Sequence, residues 1–205
     1  MIGILDYGMG NISSVINTLE FLRSDYKIIN SNIDFNQCSH LIIPGVGSFR
    51  KAMSNIENYG LKESIKKFAK SGKPVLGICL GMQLLADVGY EPEETIGLGL
   101  IPGEVLLIDF EEVRIPHIGW NGINVINDHP ILKGVKLSAD FYFVHSYHYI
   151  PKSKDSIITT TEYGQTFVSI IQNEQKNVLG IQFHPEKSQK QGLKIIENFI
   201  NMNIC

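Results

Sequence analysis

A cysteine between two glycines is the first group in the chain that could do chemistry. Gly77, Cys79 and Gly81 lie in the segment GICLG, which follows an apolar run and opens a helix-like stretch. This is the pattern of a nucleophile elbow with cysteine in place of serine, and its glycines keep Cβ atoms out of a tight turn. A helix N-terminus would favour the reactive thiolate. The alternative is that Cys79 is a buried core residue, as free cysteines often are.

A histidine and a glutamate near the carboxyl end are the partners that such a thiol needs. His184, Pro185 and Glu186 follow a strand-like run. Residues two apart in an extended chain point to one face, and Pro185 favours that extended path. The imidazole takes the thiol proton and returns it to the leaving group, while the carboxylate fixes the imidazole tautomer. Alone, this segment is a strand end with a solvated glutamate; with the elbow, it predicts a Cys-His-Glu triad.

A glycine-rich turn at residues 44–47 could stabilise the charge that develops when an amide is attacked. Its sequence is PGVG, and it follows the apolar run LII. An oxyanion needs fixed backbone N–H donors, and we expect these from Gly45, Val46 and, at the elbow, Leu80. The spacing alone is equally compatible with a plain turn.

Two further patterns carry weaker chemical hypotheses. Residues 8–10 (GMG) lie between a strand and a helix, which suits a phosphate loop, but Ser13 replaces the third glycine of the dinucleotide-binding pattern. His145 and His148 would lie on opposite faces of one strand, which disfavours a shared metal ion. Neither nucleotide binding nor a metal site is therefore expected.

Strands and helices must alternate in the first half to position these groups. Strand-like apolar runs occupy residues 1–5, 26–29, 40–43 and 74–78, and helix-period segments occupy residues 10–23, 47–58, 61–70 and 80–87. This alternation predicts βαβ units and a parallel sheet with helices on both faces. The elbow then lies at the carboxyl edge of the sheet, where α/β proteins build their sites.

The second half is rich in closely spaced strand-like segments, which are GEVLLI, NGINVI, DFYFVHSY, SIITTTEY, TFVSIIQ and NVLGIQF. They predict hairpins or an antiparallel extension of the same sheet. A final amphipathic helix is predicted over residues 189–202. We therefore expect one domain, residues 1–205, with an α/β fold: a central, mostly parallel sheet flanked by helices, with an antiparallel β extension in the C-terminal half.

Composition narrows the classes of partner. The chain has 205 residues, a net charge of −3 and a pI near 6.1, which disfavours nucleic acid and anionic membranes because both call for a basic face. No apolar stretch approaches the ~20 residues of a membrane helix, and no secretory signal is evident. The three cysteines form no spaced framework, which indicates reduced thiols in the cytoplasm, with Cys38 and Cys205 as bystanders.

Together, these motifs resemble the class I (triad) glutamine amidotransferases. GICLGMQLL, PGVGSF and IQFHPEKS carry the resemblance, and DYGMGN with PHIGWN narrows it to the glutaminase subunits of imidazole glycerol phosphate synthases. The resemblance extends over essentially the whole chain, and its five ordered motifs are specific in combination. It implies hydrolysis of glutamine to glutamate and ammonia without a cofactor. It also implies a 1:1 heterodimer with a (β/α)8 synthase subunit that uses the ammonia in histidine biosynthesis.

The resemblance also implies roles for individual residues. Cys79 would form a γ-glutamyl thioester, with His184 as its base and Glu186 as the partner of that base. The glutamine pocket would be lined by Gly47, Gln83, His145, Ser146 and Tyr147. Contacts to the synthase, around the mouth of an ammonia channel, would come from Asn11, Trp120 and Lys187. Without the resemblance, Trp120 is more simply interpreted as a core residue.

Three other functions stay open at this point. The same triad would serve a standalone cysteine hydrolase of γ-glutamyl compounds, although the PHIGWN segment favours a subunit that binds a partner. A non-catalytic regulatory subunit would be favoured if Cys79 or His184 were replaced, and neither is. Related glutaminases also pair with synthases that amidate or amidinate surface-polysaccharide sugars, and Ile118, where methionine is familiar in the histidine branch, leaves the acceptor open.

Overall fold

Strands and helices alternate through the first half of the chain. The computed structural model describes residues 1–109, 113–136 and 138–202. In chain order, the first elements are β1 (Ile2–Leu5), α1 (Ile12–Phe21), β2 (Tyr26–Ile29), β3 (His40–Gly45), α2 (Phe49–Asn58), α3 (Lys62–Lys70), β4 (Val75–Cys79) and α4 (Leu80–Gln83). The alternation predicted for this half is confirmed.

The second half is mainly strands and ends in one long helix. Its elements are β5 (Val88–Tyr90), β6 (Glu94–Ile96), β7 (Gly103–Leu107), β8 (His117–Gly122), β9 (Asn124–Val125), β10 (Asp140–His145), β11 (Tyr147–Pro151), β12 (Ile157–Tyr163), β13 (Gln165–Gln172), β14 (Val178–Ile181) and α5 (Gln189–Ile200). The final helix was predicted over residues 189–202, and the structure confirms it.

The central sheet has the strand order β2-β1-β3-β4-β14-β13-β12-β9. The first five strands in this order are parallel to their neighbours. The sheet then continues antiparallel through β13, β12 and β9. The predicted α/β fold, with a mostly parallel sheet and an antiparallel extension, is therefore confirmed.

Apolar helix faces cover both sides of the parallel strands. Leu19 of α1 and Phe199 of α5 belong to one buried cluster. Phe49 of α2 and Phe68 of α3 belong to another. Strands that are buried on both faces form continuous apolar runs, such as IGIL in β1, and this explains why they stand out in the sequence.

Two smaller sheets stand beside the central one. β8 pairs with β10, and β11, β7, β5 and β6 form a four-stranded sheet. Both contribute to the surroundings of the elbow, because Val144 and His145 of β10 and Tyr147 of β11 line the same cavity as Cys79. Among the helices that the structure describes, none is both long enough and apolar enough to cross a bilayer.

Three segments differ from their predicted form. The helix predicted at residues 80–87 stops after Gln83, and the chain continues to Ala86 with i→i+3 hydrogen bonds. DFYFVHSY forms two strands, β10 and β11, which part at Ser146 and join different sheets. NGINVI likewise divides between β8 and β9 at Ile123.

Candidate active site

Cys79 occupies a tight turn between β4 and α4. Its backbone has φ 54° and ψ −112°, a conformation that residues other than glycine rarely adopt. A Cβ atom on Gly77 would overlap the carbonyl oxygen of Gly81, and a Cβ atom on Gly81 would overlap that of Ile43. The close approach of these backbone segments therefore requires both glycines, as the elbow pattern predicts.

The helix that follows the elbow is shorter than the sequence pattern predicts. α4 has four residues, and so short a helix sums fewer peptide dipoles than the eight-residue helix that was expected. The dipole of α4 therefore contributes less at Cys79 than the predicted helix would.

His184 and Glu186 form a buried pair just beyond the end of β14. His184 Nδ1 lies 2.8 Å from Glu186 Oε1, and both side chains are 3% exposed. Residues Pro185–Lys187 form a 3₁₀ turn rather than the extended chain that was predicted. The turn is closed because the N–H of Lys187 and the hydroxyl of Ser188 both donate to the carbonyl of His184. It still brings the imidazole and the carboxylate together.

The electrostatic environment of His184 favours its protonated form. Burial lowers the pKa of His184, but the neighbouring Cys79 and Glu186 groups outweigh burial and raise the pKa above its ordinary value. The Nε2 atom of His184 is buried and has no hydrogen-bond partner within the described part of the chain. An imidazole beside a thiol, with this nitrogen uncommitted, can take and hold the thiol proton.

The residues proposed to stabilise an oxyanion lie next to the thiol. Gly45 is the last residue of β3 and is paired with Cys79 of β4. Val46 is the first residue beyond that strand and is 41% exposed. Leu80 is the first residue of α4, where a backbone N–H has no acceptor within the helix. Val46 and Leu80 both line the cavity that contains Cys79.

The buried Tyr7 lies in the DYGMGN motif, which predicts no role for it, and it supports this turn. Tyr7 Oη donates a hydrogen bond of 2.8 Å to the carbonyl oxygen of Pro44. Burial and the charge of Cys79 both raise the pKa of Tyr7, so the phenol remains a neutral donor. A Cβ atom on Gly45 would lie 2.5 Å from the same phenol oxygen. Tyr7 therefore packs directly against the backbone of the Pro44–Gly47 turn.

A cavity of about 380 Å³ opens beside Cys79. It is lined by every residue that was predicted to bind glutamine: Gly47, Gln83, His145, Ser146 and Tyr147. Its wall also includes Ser48, Glu91, Pro116 and Val144. The structure therefore brings the predicted pocket residues together around the thiol, from three separate stretches of the chain.

His145 contacts the cavity, but its ring nitrogens are already engaged. Its Nε2 lies 3.0 Å from Nδ1 of His117, and its Nδ1 lies 2.8 Å from the carbonyl oxygen of Tyr147. The amide of Gln83 donates to the same carbonyl at 3.1 Å. His145 therefore shapes the wall and has no ring nitrogen left to hydrogen-bond glutamine.

Glu91 contributes an acidic group to the cavity that the sequence did not reveal. Its carboxylate accepts a hydrogen bond of 2.7 Å from the backbone N–H of Phe49. Burial raises the pKa of Glu91, and that hydrogen bond opposes the rise. No sequence motif marks Glu91, and only the fold shows that it lines the cavity.

The residues proposed to contact a synthase lie outside the cavity. Trp120 is 49% exposed, which makes its interpretation as a core residue wrong. Its ring lies 5.8 Å from the ring of Tyr142, and Lys187 Nζ lies 5.9 Å from that ring. Tyr142 in turn lies 6.3 Å from the ring of His184. Asn11 is exposed at the start of α1, and its side chain makes no capping hydrogen bond.

Residues 8–10 and Cys38, which carry the weaker sequence patterns, have packing roles in the structure. Residues 8–10 pack against the turn at 44–47, where a Cβ atom on Gly10 would lie 3.4 Å from the Pro44 carbonyl oxygen. Cys38 is buried in the core, and Cys205 lies outside the described residues.

Metal-ligating residues do not cluster in the described ranges. No group of three or more histidine, cysteine, aspartate or glutamate side chains there could hold a metal ion. His145 and His148 belong to β10 and β11, which lie in different sheets, rather than to one strand as predicted.

Comparisons with known proteins agree on one family. The family model of glutamine amidotransferase class-I matches residues 3–202. The chain is 45% identical to the imidazole glycerol phosphate synthase subunit HisH of Pelagibacter ubique, over 97% of this chain and 98% of that protein. It is 46% identical to the subunit HisH of Methanocaldococcus jannaschii, over 98% and 100%. The solved structure of PurLQS from Thermotoga maritima shares the fold, with a TM-score of 0.74 at 20% identity, over 98% of this chain and 97% of that one. The chain therefore belongs to the class I glutamine amidotransferase family and, within it, to the HisH subunits.

Proposed function

We propose that the chain is the glutaminase subunit of an imidazole glycerol phosphate synthase and supplies ammonia for histidine biosynthesis. The observation that carries the proposal is that Cys79, which lines a cavity of about 380 Å³, is close enough to the buried His184–Glu186 pair to raise the pKa of His184. Identity of 45% to HisH subunits over nearly the full length favours this pathway over a polysaccharide-modifying synthase or a standalone hydrolase.

The triad hydrolyses the amide in two steps. Cys79 transfers its proton to His184 Nε2, and Sγ attacks the carboxamide carbon of glutamine. The amide oxygen takes up the electron pair as an oxyanion, which backbone N–H groups at Val46 and Leu80, with Gly45 shaping the turn, stabilise. As the C–N bond breaks, the proton returns from His184 to the leaving ammonia, and a γ-glutamyl thioester remains. Water, deprotonated by His184, then releases glutamate and restores the thiol.

The carboxylate of Glu186 stabilises the charged imidazole through both steps. It accepts from Nδ1 of His184 at 2.8 Å, which directs the other nitrogen, Nε2, towards the reacting atoms. A buried carboxylate without this cationic partner would be costly. The pair is therefore best matched to the state in which the proton rests on His184.

Polar groups around the cavity match the two charged ends of an amino acid. Glu91 provides a carboxylate for the α-ammonium group, and Ser146 and Tyr147 lie where they can bind the α-carboxylate. Gln83 and Gly47 complete the wall near the elbow. Recognition of both ends fixes glutamine with its side-chain amide directed to Cys79.

The partner is a (β/α)8 synthase subunit that docks on the face formed by Asn11, Trp120 and Lys187, as a 1:1 heterodimer in the cytoplasm. An exposed tryptophan beside a lysine, close to the triad, is a suitable anchor for such an interface. Ammonia then passes through a channel that excludes water, which keeps it unprotonated and therefore nucleophilic.

Replacing the proposed nucleophile tests this function in the complex. We expect Cys79→Ala to lower glutamine-dependent synthesis at least about 1,000-fold, because no nucleophile remains, while synthesis from added ammonium salt is unchanged. Cys38→Ala is the matched control, since it removes a buried thiol from the core and should leave both activities within about threefold. Loss of both activities in Cys79→Ala would contradict the assignment.

A further inference from the structure

Two buried histidines face each other across the small sheet formed by β8 and β10. His117 and His145 are directly opposite in the strand register. His117 Nδ1 lies 3.0 Å from His145 Nε2, and His145 Nδ1 lies 2.8 Å from the carbonyl oxygen of Tyr147. The two imidazoles therefore form a hydrogen-bonded chain that ends on the backbone of the cavity wall.

The direction of hydrogen-bond donation between the two imidazoles follows from the chemistry of the final acceptor, the carbonyl oxygen of Tyr147. A carbonyl oxygen only accepts, so His145 Nδ1 carries a proton. Burial lowers the pKa of His145 to about 3 and that of His117 to about 4, so both rings are neutral near pH 7. A neutral His145 with a protonated Nδ1 presents a lone pair at Nε2. His117 must therefore donate from its own Nδ1.

Aromatic rings hold His117 in the orientation that this donation requires. The ring centroid of His117 lies 3.9 Å from that of Tyr163 and 4.9 Å from that of Phe143, with interplanar angles of 26° and 23°. Tyr163 is itself fixed, because its hydroxyl donates to the carbonyl oxygen of Arg114 at 2.7 Å. Stacking on both rings resists rotation of the imidazole.

The carbonyl oxygen of Tyr147, where this series of hydrogen bonds ends, accepts from two donors. Tyr147 O accepts from His145 Nδ1 at 2.8 Å and from Gln83 Nε2 at 3.1 Å, which engages both of its lone pairs. The adjacent carbonyl of Ser146 accepts from the N–H of Ile108 at 2.8 Å. Both carbonyls of the Ser146-Tyr147 segment are thus fixed where the chain leaves β10 and enters β11.

We propose that His117 is a positioning residue for glutamine: it donates to His145 and so holds the Ser146-Tyr147 wall in the geometry that binds the substrate. This rests on the proposed function, in which that wall contacts the α-carboxylate. His117 touches neither the thiol nor the cavity. Its removal therefore weakens the binding of glutamine more than it slows the chemical step.

Two substitutions of His117 separate positioning from packing. His117→Phe keeps a stacking ring and loses the donor, which leaves a buried acceptor on His145 unpaired. We expect it to raise KM for glutamine about tenfold in the complex, with kcat changed less than about threefold. His117→Asn has an amide nitrogen near the position of Nδ1 and should bring KM back to within about threefold of the original value. An unchanged KM in the Phe variant, or an Asn variant as impaired as the Phe variant, would overturn the proposal.

The tautomers of His117 and His145 can be determined without an activity assay. Nitrogen NMR of the chain with ¹⁵N-labelled histidine at pH 7 should show His117 and His145 as neutral rings protonated at Nδ1. A ring protonated at Nε2 instead, at either residue, would overturn the direction of the chain. If the unsubstituted complex released no glutamate from glutamine, the proposed function would fail, and the NMR result would still decide the hydrogen-bonded chain.

Discussion

At the scale of single residues, the site combines an uncommitted imidazole nitrogen with a fully buried carboxylate. His184 Nδ1 and Glu186 Oε1 are 2.8 Å apart, while His184 Nε2 and Glu186 Oε2 have no partner among the described atoms. Such unpaired buried groups are costly in a core. For Nε2 the proposed reaction gives a reason, because it supplies a succession of partners, namely the thiol, the leaving ammonia and water.

Removing the charge of Glu186 should give a loss of stability that depends on pH. The folded-state pKa of His184 is raised from 6.5, and Glu186 is one of the causes. A histidine whose pKa is higher in the folded than in the unfolded protein stabilises the fold. This stabilisation is complete below the unfolded-state pKa and is lost as the pH rises towards the folded-state pKa. We expect Glu186→Gln to cost about 2 kcal/mol at pH 6 and progressively less from pH 7 to pH 9. Urea unfolding at each pH measures this, and a difference independent of pH would contradict it.

The phenol of Tyr7 should matter for turnover, because it holds the Pro44 carbonyl at 2.8 Å. We expect Tyr7→Phe to cost about 1 kcal/mol of unfolding free energy and to lower kcat on glutamine about tenfold, because the oxyanion turn loses its support. Both quantities are measured on the complex.

Tyr149 provides the matched control for Tyr7. It is equally buried, and its hydroxyl donates to the carbonyl oxygen of Ile101, outside the cavity lining. Tyr149→Phe should therefore lose similar stability and keep its kcat. If the two variants have the same kcat, Tyr7 has only a structural role.

The residues with proposed chemical roles were easier to predict from the sequence than the residues that pack around them. Cys79, His184 and Glu186 stand in local motifs, and the structure places them together. Tyr7 lies in DYGMGN and Tyr142 in DFYFVHSY, but neither segment indicates a role for them, because their importance arises from contacts with residues 37 and 42 positions away. Such contacts exist only once the sheet has formed.

At the scale of elements, the elbow depends on the close approach of α4 to the parallel strands. A Cβ atom at Gly81 would overlap the carbonyl oxygen of Ile43 in β3, and one at Gly77 would overlap the carbonyl of Gly81. Interiors as densely packed as this yield little to an added methyl group. The turn that exposes the thiol is thus fixed by backbone contact between elements.

A methyl group at Gly81 should therefore be strongly destabilising. We expect Gly81→Ala to lower the unfolding free energy by about 3 kcal/mol, because the obstacle is a backbone atom that cannot rotate away. Gly122→Ala is the control: the nearest atom to its Cβ is Asp140 Oδ1 at 3.8 Å, and its effect should stay within about 1 kcal/mol. Equal urea midpoints for the two variants would show that the elbow tolerates a larger residue.

Elements were predictable where burial leaves a pattern. β1, β3 and β4 are fully buried and read as apolar runs. The hairpin of β5 and β6 was missed, since each strand has three residues and Glu94 and Ile96 are both exposed. The break at Ser146 was missed as well, because the strands on either side of it pair with β8 and β7 in different sheets, and these pairings are not local to the segment.

At the scale of the whole molecule, the triad and an exposed aromatic face lie on neighbouring surfaces. Trp120 and Lys187 both approach Tyr142, which approaches His184. A partner that covers this face would therefore lie within a few side chains of the place where the proposed triad releases ammonia. This arrangement suits a subunit whose product is used by its partner.

Truncating Trp120 should weaken the complex and leave the fold intact. We expect Trp120→Ala to raise the dissociation constant for the synthase subunit at least about tenfold, with the unfolding free energy of the isolated chain changed by less than about 1 kcal/mol. Ile96→Ala is the control, since Ile96 is 60% exposed on β6 in a different sheet. Calorimetric titration measures the binding, and equal dissociation constants for both variants would exclude Trp120 from the interface.

The most direct test of the central claim is glutamate release from glutamine by the purified chain. It should be measured for the chain alone, with the (β/α)8 synthase subunit, and with that subunit and its nucleotide ligand. We predict that the subunit and its ligand together increase the rate at least about 100-fold, and that Cys79→Ala abolishes it under all three conditions. A rate that the synthase subunit and its ligand leave unchanged would contradict the claim that this chain is the glutaminase of an imidazole glycerol phosphate synthase.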